Sequence, residues 1–248
     1  MEGTLVLGQI SQVNNHDIAI ALPNNLTGYV SLTRISQTIT NSVEAALKGD
    51  DSDEEDENEI ETKLPSLREL FTPGQWLRTV VVENTAISGT TNKSKKKHIE
   101  LSIEPDMVNA SLSKDDVLPK KLLQVSVNSI EDHGFIVSTG LANLTGFIKK
   151  SALGGLAADS IKEGQVFLAC VLHRPKNGVV QLSLDLRASQ TPIGDVSDVS
   201  SLLPGDTVQC LLTEVRDLGA GGKILGILDA TIDQLHIDGT PVAENKNV

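Results

Sequence analysis

The sequence predicts an all-β protein built from tandem five-stranded barrels, the third of them incomplete. Residues 125–150 contain three alternating apolar runs, separated by a polar turn that closes on Gly134 and by a loop. The same order appears at residues 9–32, and Asn-Leu-Thr-Gly at 25–28 recurs 118 positions later at 143–146. Alternation with a period of two predicts strands, and an internal repeat determines the architecture.

Two further strands are predicted in each unit, at residues 77–83 and 98–103 in the first. Gly74-Gln75 has its counterpart 90 positions later, and Leu101-Ser102 has its counterpart 81 positions later. The falling offsets place 28 extra residues between strands three and four of the first unit, and 9 extra between strands four and five. Both insertions fall in connections, where added length costs little loop entropy.

Three units follow from this spacing. Residues 1–112 form the first, with an acidic insert at about 37–66; residues 113–190 form the second, and 191–248 the third. The third unit has only three predicted strands, which cannot close a barrel. We therefore expect it to be cut short or to lean on its neighbour, in a chain that is a fragment of a longer protein.

Negative charge is concentrated in one segment. The formal net charge is −12, but residues 49–61 carry nine acidic residues and no basic one, so the remainder is close to neutral at −3. A block of like charge with almost no apolar side chains cannot form a core, and we expect it to be disordered. A short helix is predicted just before it, at residues 41–47.

Several classes of protein are excluded by composition and spacing. No apolar run approaches the roughly 20 residues that span a bilayer, and no signal peptide is recognisable. Cys170 and Cys210 lie in apolar runs and are predicted to be buried thiols of an intracellular protein. The five histidines have no metal-ligand spacing, and no nucleophile and base assemble by any spacing rule. We predict no enzyme, no metal or cofactor, no membrane and no small-molecule substrate.

Five strands in about 70 residues, with a pause between strands three and four, describe an OB-type Greek-key barrel. The second unit resembles the S1 RNA-binding domain in the segments Ser129–Gly134, Thr145–Ile148, Gly164-Gln165 and Leu182–Leu184. By this resemblance the units are S1 repeats.

The chain as a whole resembles a fungal family of pre-rRNA processing proteins with a long row of S1 repeats. The resemblance is carried by Gly74–Arg78, Lys93–Leu101 and Ser129–Gly134, together with the acidic insert in the first repeat. It implies the first repeats of a ribosome-biogenesis factor in the nucleolus. The implied partners are single-stranded pre-rRNA and other assembly proteins of the early pre-ribosome and small-subunit processome. A translation or RNA-decay protein with the same domain fits the insert and the lysine string less well.

Barrels of this type stack bases on aromatic side chains of strands two and three, while basic residues follow the phosphates. In the first unit the expected second-strand positions hold Ile18 and Ile20, so that only Tyr29 remains. The second unit offers Phe135 and Phe147. Each of these three aromatic residues is either a base platform or a core residue. Trp76 and Phe71 are expected to pack where strand four begins.

The basic candidates form two groups and two single residues. The first group is a loop whose lysines contact phosphates, act as a nuclear-import signal or are simply solvated: Lys93, Lys95, Lys96 and Lys97. The second is a weak basic edge, or ordinary surface charge: Lys149, Lys150, Arg174 and Lys176. The candidates are completed by Arg78 and His98.

Two functions remain open: weak RNA binding, and protein docking by degenerate repeats. The scarcity of aromatic residues, at 2% of the chain, favours docking, while the repeats and lysines favour RNA. The insert is a solubilising segment, a nucleic-acid mimic or a dock for basic ribosomal proteins. Ser52 within it is a candidate phosphorylation site, where a phosphate would add further negative charge.

Overall fold

The structure is a computed structural model that describes residues 2–48, 66–86, 97–193, 199–216, 218–224 and 226–237. The strands are β1 Leu5–Val13, β2 Asp17–Leu22, β3 Leu26–Ser31, β4 Trp76–Ala86, β5 Lys97–Ser102, β6 Leu122–Glu131, β7 Gly134–Ser138, β8 Thr145–Lys149, β9 Val166–Val171, β10 Val179–Ser183, β11 Cys210–Arg216, β12 Gly219–Ile224 and β13 Leu228–Asp233. The α-helices are α1 Gln37–Lys48, α2 Leu67–Leu70 and α3 Pro105–Val108.

The first ten strands form two closed barrels of identical topology. The order is β1-β2-β3-β5-β4 in the first barrel, and the corresponding order β6-β7-β8-β10-β9 holds in the second. The β3–β5 and β8–β10 pairs are parallel, and the other barrel pairs are antiparallel. The predicted all-β class with five-stranded OB-type barrels is confirmed, and the helix predicted at 41–47 is α1.

The repeated Asn-Leu-Thr-Gly segment has a steric cause. Asn25 and Asn143 adopt left-handed backbone conformations, with φ of 58° and 55°, which asparagine tolerates better than most residues. A Cβ on Gly28 would lie 2.4 Å from Leu101, and one on Gly146 would lie 2.5 Å from Val137. The segment therefore turns the chain into strand three and allows that strand to approach the core closely.

The third unit repeats the first three strands as an open sheet in the order β11-β12-β13. All three units carry an irregularity at the same place in their first hairpin, between Ile10 and Gln12, Val127 and Ser129, and Leu212 and Glu214. This shared irregularity identifies β11 as a first strand. Among the described residues the third unit stays unclosed, as predicted from its three strands.

The two barrels are joined by buried polar contacts, which we call the barrel joint: Arg78, Gln124, Gln165 and Asp206. The Gln124 amide lies at the start of the second barrel and is fully buried. Its Nε2 donates to the carbonyl oxygens of Arg78 and Ile103, both at 2.8 Å, and its Oε1 accepts from the Arg78 backbone N–H at 2.9 Å. Gln165 Nε2 donates to Leu70 O at 2.8 Å. Every polar atom of the Gln124 side chain is thus used to hold the first barrel.

Apolar packing reinforces the joint. Ile39 of α1 is buried against the turn before β9, where a Cβ on Gly164 would lie 2.6 Å from its side chain. Val166 of the second barrel belongs to the hydrophobic cluster of the first, and Leu203 of the third unit belongs to that of the second. Each of the two barrel cores therefore includes a residue of the following unit, and these contacts give the barrels a defined relative orientation.

Candidate nucleic-acid interface

The outer face of the second barrel carries a row of side chains fixed by strand register. Ile136 of β7 pairs with Phe147 of β8, and Phe147 pairs with Gln181 of β10. Neighbouring strands lie about 4.8 Å apart, so these three side chains are in contact range. Phe147 is half-buried and Gln181 is exposed. The row is an apolar platform with an amide at one edge.

Phe147 owes its position to a glycine on the adjacent strand. A Cβ on Gly134 would lie 2.7 Å from Phe147 Cζ, so the ring lies directly over the Gly134 backbone. Any side chain at that position would push the ring away from the barrel. The glycine that closes the β6–β7 turn therefore also seats the aromatic platform.

Basic side chains flank the platform at both ends of β8. Lys149 and Lys150 are exposed where β8 ends, and Arg174 and Lys176 are exposed in the β9–β10 loop. That loop is tied to the start of β8, because Thr145 N donates to Gly178 O at 2.8 Å. At about 3.3 Å per residue, the strand between the two pairs spans roughly 13 Å. The face therefore offers an aromatic platform between two cationic ends.

The equivalent row of the first barrel has a different chemistry. Ala19 pairs with Tyr29, and Tyr29 pairs with Glu100 of β5. Tyr29 is half-buried, and Glu100 Oε1 lies 3.8 Å from Arg34 Nε. Asp17 lies opposite Ser31, the position that holds Lys149 in the second barrel. A carboxylate thus stands where the second barrel has an amide, and another faces the position of a lysine.

Two aromatic expectations on the second strand need correction. Phe135 is 1% exposed and belongs to the core of the second barrel, so it is not available to stack on a base. Ile18 and Ile20 also point inward, and both are fully buried. The outward residues of β2 are Asp17 and Ala19, which occupy the alternate positions. The sequence pattern was assigned one residue out of register, which exchanges the two faces of a strand.

Arg78 is the second correction, because it lies inside the barrel joint and not on an RNA-binding surface. Its side chain is 0% exposed. Nε donates to Pro204 O at 2.6 Å, Nη1 to Leu122 O at 2.6 Å, and Nη2 to Asp206 Oδ1 at 2.8 Å. Burial lowers the Arg78 pKa from its usual value, although Asp206 opposes that shift. The guanidinium connects all three units and has no free edge for a phosphate.

Several predicted residues lie outside the described part of the chain: Ser52, Lys93, Lys95 and Lys96. The backbones of Lys97 and His98 open β5, while their side chains are likewise outside it. These residues remain sequence-based candidates. The sequence that contains Lys93, Lys95 and Lys96 lies between β4 and β5. It corresponds in position to the β9–β10 loop of the second barrel, which carries Arg174 and Lys176.

Trp76 and Cys210 are more exposed than expected, whereas Phe71 and Cys170 are buried as expected. Phe71 packs in the core at 2% exposure, as expected, but Trp76 is 51% exposed. Cys170 is a buried thiol, and burial raises its pKa to about 11. Cys210 is exposed, contrary to the prediction, because β11 belongs to the unclosed sheet.

Metal-binding clusters and membrane-spanning helices are both absent from the described ranges. No group of three or more His, Cys, Asp or Glu side chains there is arranged to hold a metal ion. None of the helices in those ranges is long and apolar enough to cross a membrane.

The residues that sequence reasoning missed are Arg34, Glu100, Ile136 and Gln181. The outward orientation of Glu100, Ile136 and Gln181 follows from the alternation in strands two, three and five, whereas Arg34 lies in the short 3₁₀ helix Leu32–Arg34 that follows strand three. That register is fixed once Gly28 and Gly146 are placed on the inward face. The sequence contains the alternation, but only the close approach of these glycines to the core shows which residues of each strand face inward.

Comparison with known proteins shows relatives along almost the whole chain. The rRNA biogenesis protein rrp5 of Schizosaccharomyces pombe is 35% identical over 237 residues, which are 94% of this chain and 14% of that protein. The protein RRP5 homolog of Homo sapiens is 30% identical over 251 residues, covering 96% of this chain and 12% of that protein. The chain thus spans about an eighth of the length of these relatives. No family model matches it.

Among solved structures, a multidomain protein with nucleic acid binding domains from Streptococcus pneumoniae is 15% identical, with a TM-score of 0.31. The match covers 79% of this chain and 55% of that one. The barrel assignment rests on the strand order described above. The chain is similar over 94% of its length to an rRNA biogenesis protein, which confirms the resemblance to pre-rRNA processing factors predicted from the sequence.

Proposed function

We propose that the outer face of the second barrel binds single-stranded pre-rRNA weakly, as one segment of a ribosome-biogenesis factor. The observation that carries this proposal is the position of Phe147 between Lys149 and Lys150 at one end of β8 and Arg174 and Lys176 at the other. An aromatic residue accepts any base by stacking, and the cations follow the phosphates. One platform flanked by few cations implies low affinity and strong salt dependence.

Charge distribution is compatible with the choice of the second barrel. Residues 113–190 contain nine basic and seven acidic residues, whereas residues 1–112 contain nine basic and seventeen acidic ones. Nine of those seventeen lie within residues 49–61, so phosphate backbones are repelled by the acidic insert and not by the first barrel itself. The second unit is proposed as the main RNA-binding unit because its sequence has no such insert and it carries exposed cations at both ends of β8.

Filter binding of the whole chain to a U-rich single strand, at rising salt, tests the proposal. We expect measurable binding at low salt that weakens steeply as salt is added. Absence of binding at low salt would exclude this function.

Protein docking is the second candidate, and the acidity of the flanking units favours it. Residues 191–248 contain nine acidic and three basic residues, so both flanking units suit basic partners such as ribosomal proteins. Capture of partners from a nucleolar extract treated with nuclease separates the two functions. If all partners disappear with the RNA, docking is excluded.

The names of the relatives, which are those of rRNA biogenesis proteins, support a role for the proposed activity in rRNA biogenesis. We propose that the segment works in the nucleolus, in the early pre-ribosome and small-subunit processome, without catalytic activity of its own. It would support pre-rRNA cleavage by holding RNA and assembly proteins together. Depletion of the protein, followed by analysis of pre-rRNA intermediates, tests this assignment.

A further inference from the structure

We propose that the first barrel carries a guanine-selective site formed by Tyr29, Glu100 and Arg34. This inference rests on the proposed function, because it assigns a base preference to the same kind of face on the neighbouring barrel. The sequence motifs did not mark Glu100 or Arg34 as binding residues. Strand register places Glu100 beside Tyr29, and Arg34 lies within ion-pair distance of Glu100.

The aromatic part of the site is Tyr29, in the position that Phe147 occupies in the second barrel. Tyr29 pairs with Ala19 on one side and with Glu100 on the other. Ala19 is buried, at 7% exposure, whereas Tyr29 is half-buried, so part of the Tyr29 surface is available to a base. A base stacked on the Tyr29 ring would extend across the strand towards Glu100, about 4.8 Å away between neighbouring strands.

The base preference comes from the Glu100 carboxylate. A carboxylate is acceptor-only when ionised and offers two oxygens side by side. Guanine is the one common base whose Watson–Crick edge presents two adjacent donors, the N1–H and the N2 amino group. Each of the other three bases presents an acceptor in place of one of these two donors. The lone pair of that acceptor would face a lone pair of a carboxylate oxygen, which is repulsive.

Arg34 completes the site. Its Nε lies 3.8 Å from Glu100 Oε1, and the two side chains are 39% and 29% exposed. The Arg34 carbonyl is held by the backbone N–H of Ile103 at 2.9 Å, which fixes the segment next to β5. The guanidinium thus lies beside the carboxylate, and its exposed remainder is available to the phosphate of a bound nucleotide. Aromatic ring, carboxylate and cation together match a guanosine nucleotide.

The second barrel provides the internal contrast. Gln181 stands where Glu100 stands, and an amide presents both donors and an acceptor. By rotating, that amide pairs with any base, so the second barrel has no preference of this kind. The pair Glu100 and Gln181 therefore distinguishes a selective site from a tolerant one.

The test is binding of the whole chain to a U-rich strand and to the same strand with one central guanine or one central adenine. We expect the guanine strand to bind about tenfold more tightly than the adenine strand, which is within the usual discrimination of a bidentate contact. E100Q should abolish the preference. E2Q removes the same charge from an exposed site in the same unit and should retain it.

Titration of the 15N-labelled chain with 5′-GMP and 5′-AMP provides a second readout that does not depend on the second barrel. Larger chemical-shift changes at the amides of Tyr29 and Glu100 with 5′-GMP than with 5′-AMP support the site. Equal binding of the guanine and adenine strands, or a preference that persists in E100Q, overturns it. Binding of the U-rich strand itself reports the proposed function, so the two failures are distinguishable.

Discussion

Arg78 and Lys149 are both cations carried by barrel strands, and their surroundings give them opposite roles. Arg78 is enclosed in the barrel joint, where its guanidinium donates to two backbone carbonyls and to Asp206. Lys149 is exposed at the end of β8, the strand that carries Phe147. The joint uses charge to fix the orientation of the barrels, and the open face keeps charge available for a ligand. A cation on a barrel strand is therefore a candidate RNA contact only if its side chain is exposed.

The largest expected effect is on the joint. Arg78→Ala leaves the buried Asp206 carboxylate without its ion-pair partner, although the backbone N–H groups of Leu122 and Leu203 still donate to it. Removing one partner of a buried ion pair costs about 3–5 kcal/mol. We expect the free energy of unfolding, measured by urea titration, to fall by that amount. The matched control is Arg68→Ala in the same unit, an exposed cation whose removal should change stability by less than about 0.5 kcal/mol. Equal effects of the two variants would remove the distinction between joint and surface.

Gln124→Ala probes the neutral part of the joint. The substitution leaves the Arg78 backbone N–H and the carbonyls of Arg78 and Ile103 without their buried partner. Unsatisfied buried groups cost about 1–3 kcal/mol, and the same urea titration measures the decrease in stability. Gln181→Ala on the open face is the control and should leave stability within about 0.5 kcal/mol of the wild type. An unchanged stability in Gln124→Ala would mean that the amide does not hold the barrels.

Phe147→Leu probes the open face while preserving apolar bulk. Removal of the stacking platform should weaken binding of a U-rich strand by about 1–3 kcal/mol, as measured by filter binding. Tyr29→Leu alters the equivalent position of the first barrel and should have a smaller effect on that strand. If Tyr29→Leu has the larger effect, the first barrel is the main RNA site.

The smallest expected effect concerns the cations of the open face. Replacing Lys149 and Lys150 with glutamine should reduce the slope of log K against log salt by about 0.7 for each phosphate that the variant no longer neutralises. Lys114 and Lys120 are exposed in the same unit but lie outside β7, β8 and β10. Their replacement with glutamine should leave the slope unchanged. A slope that falls equally in both double variants would indicate general attraction and not a defined edge.

The fold could be predicted from the sequence because the repeat appears three times with recognisable turns. The Asn-Leu-Thr-Gly segment fixes a turn and a close approach that few other residues permit, so its spacing located the first three strands of each barrel. The repeated Gly-Gln and Leu-Ser pairs located strands four and five. The site was predicted less well. Phe147 and the flanking cations were identified by residue type. Phe135, left open between a core residue and a base platform, and Arg78, named as an RNA-binding candidate, are both buried.

The reasons for these errors are physical. Phe135 and Phe147 lie on adjacent strands. A shift of one residue in the register of β7 decides whether Phe135 faces the core or lies on the outer face beside Phe147. The burial of Arg78 depends on Asp206, which lies 128 residues away, so no local pattern contains it. Interfaces between repeats arise from tertiary contacts that strand periodicity does not encode.

The most direct test of the contrast between joint and face is an NMR titration of the whole chain with a U-rich single strand at low salt. We expect chemical-shift changes concentrated at the amides of Phe147, Lys149, Lys150, Arg174 and Lys176, while the amides of Arg78 and Gln124 remain unchanged. Shifts centred on the joint, or no shifts at all, would contradict it.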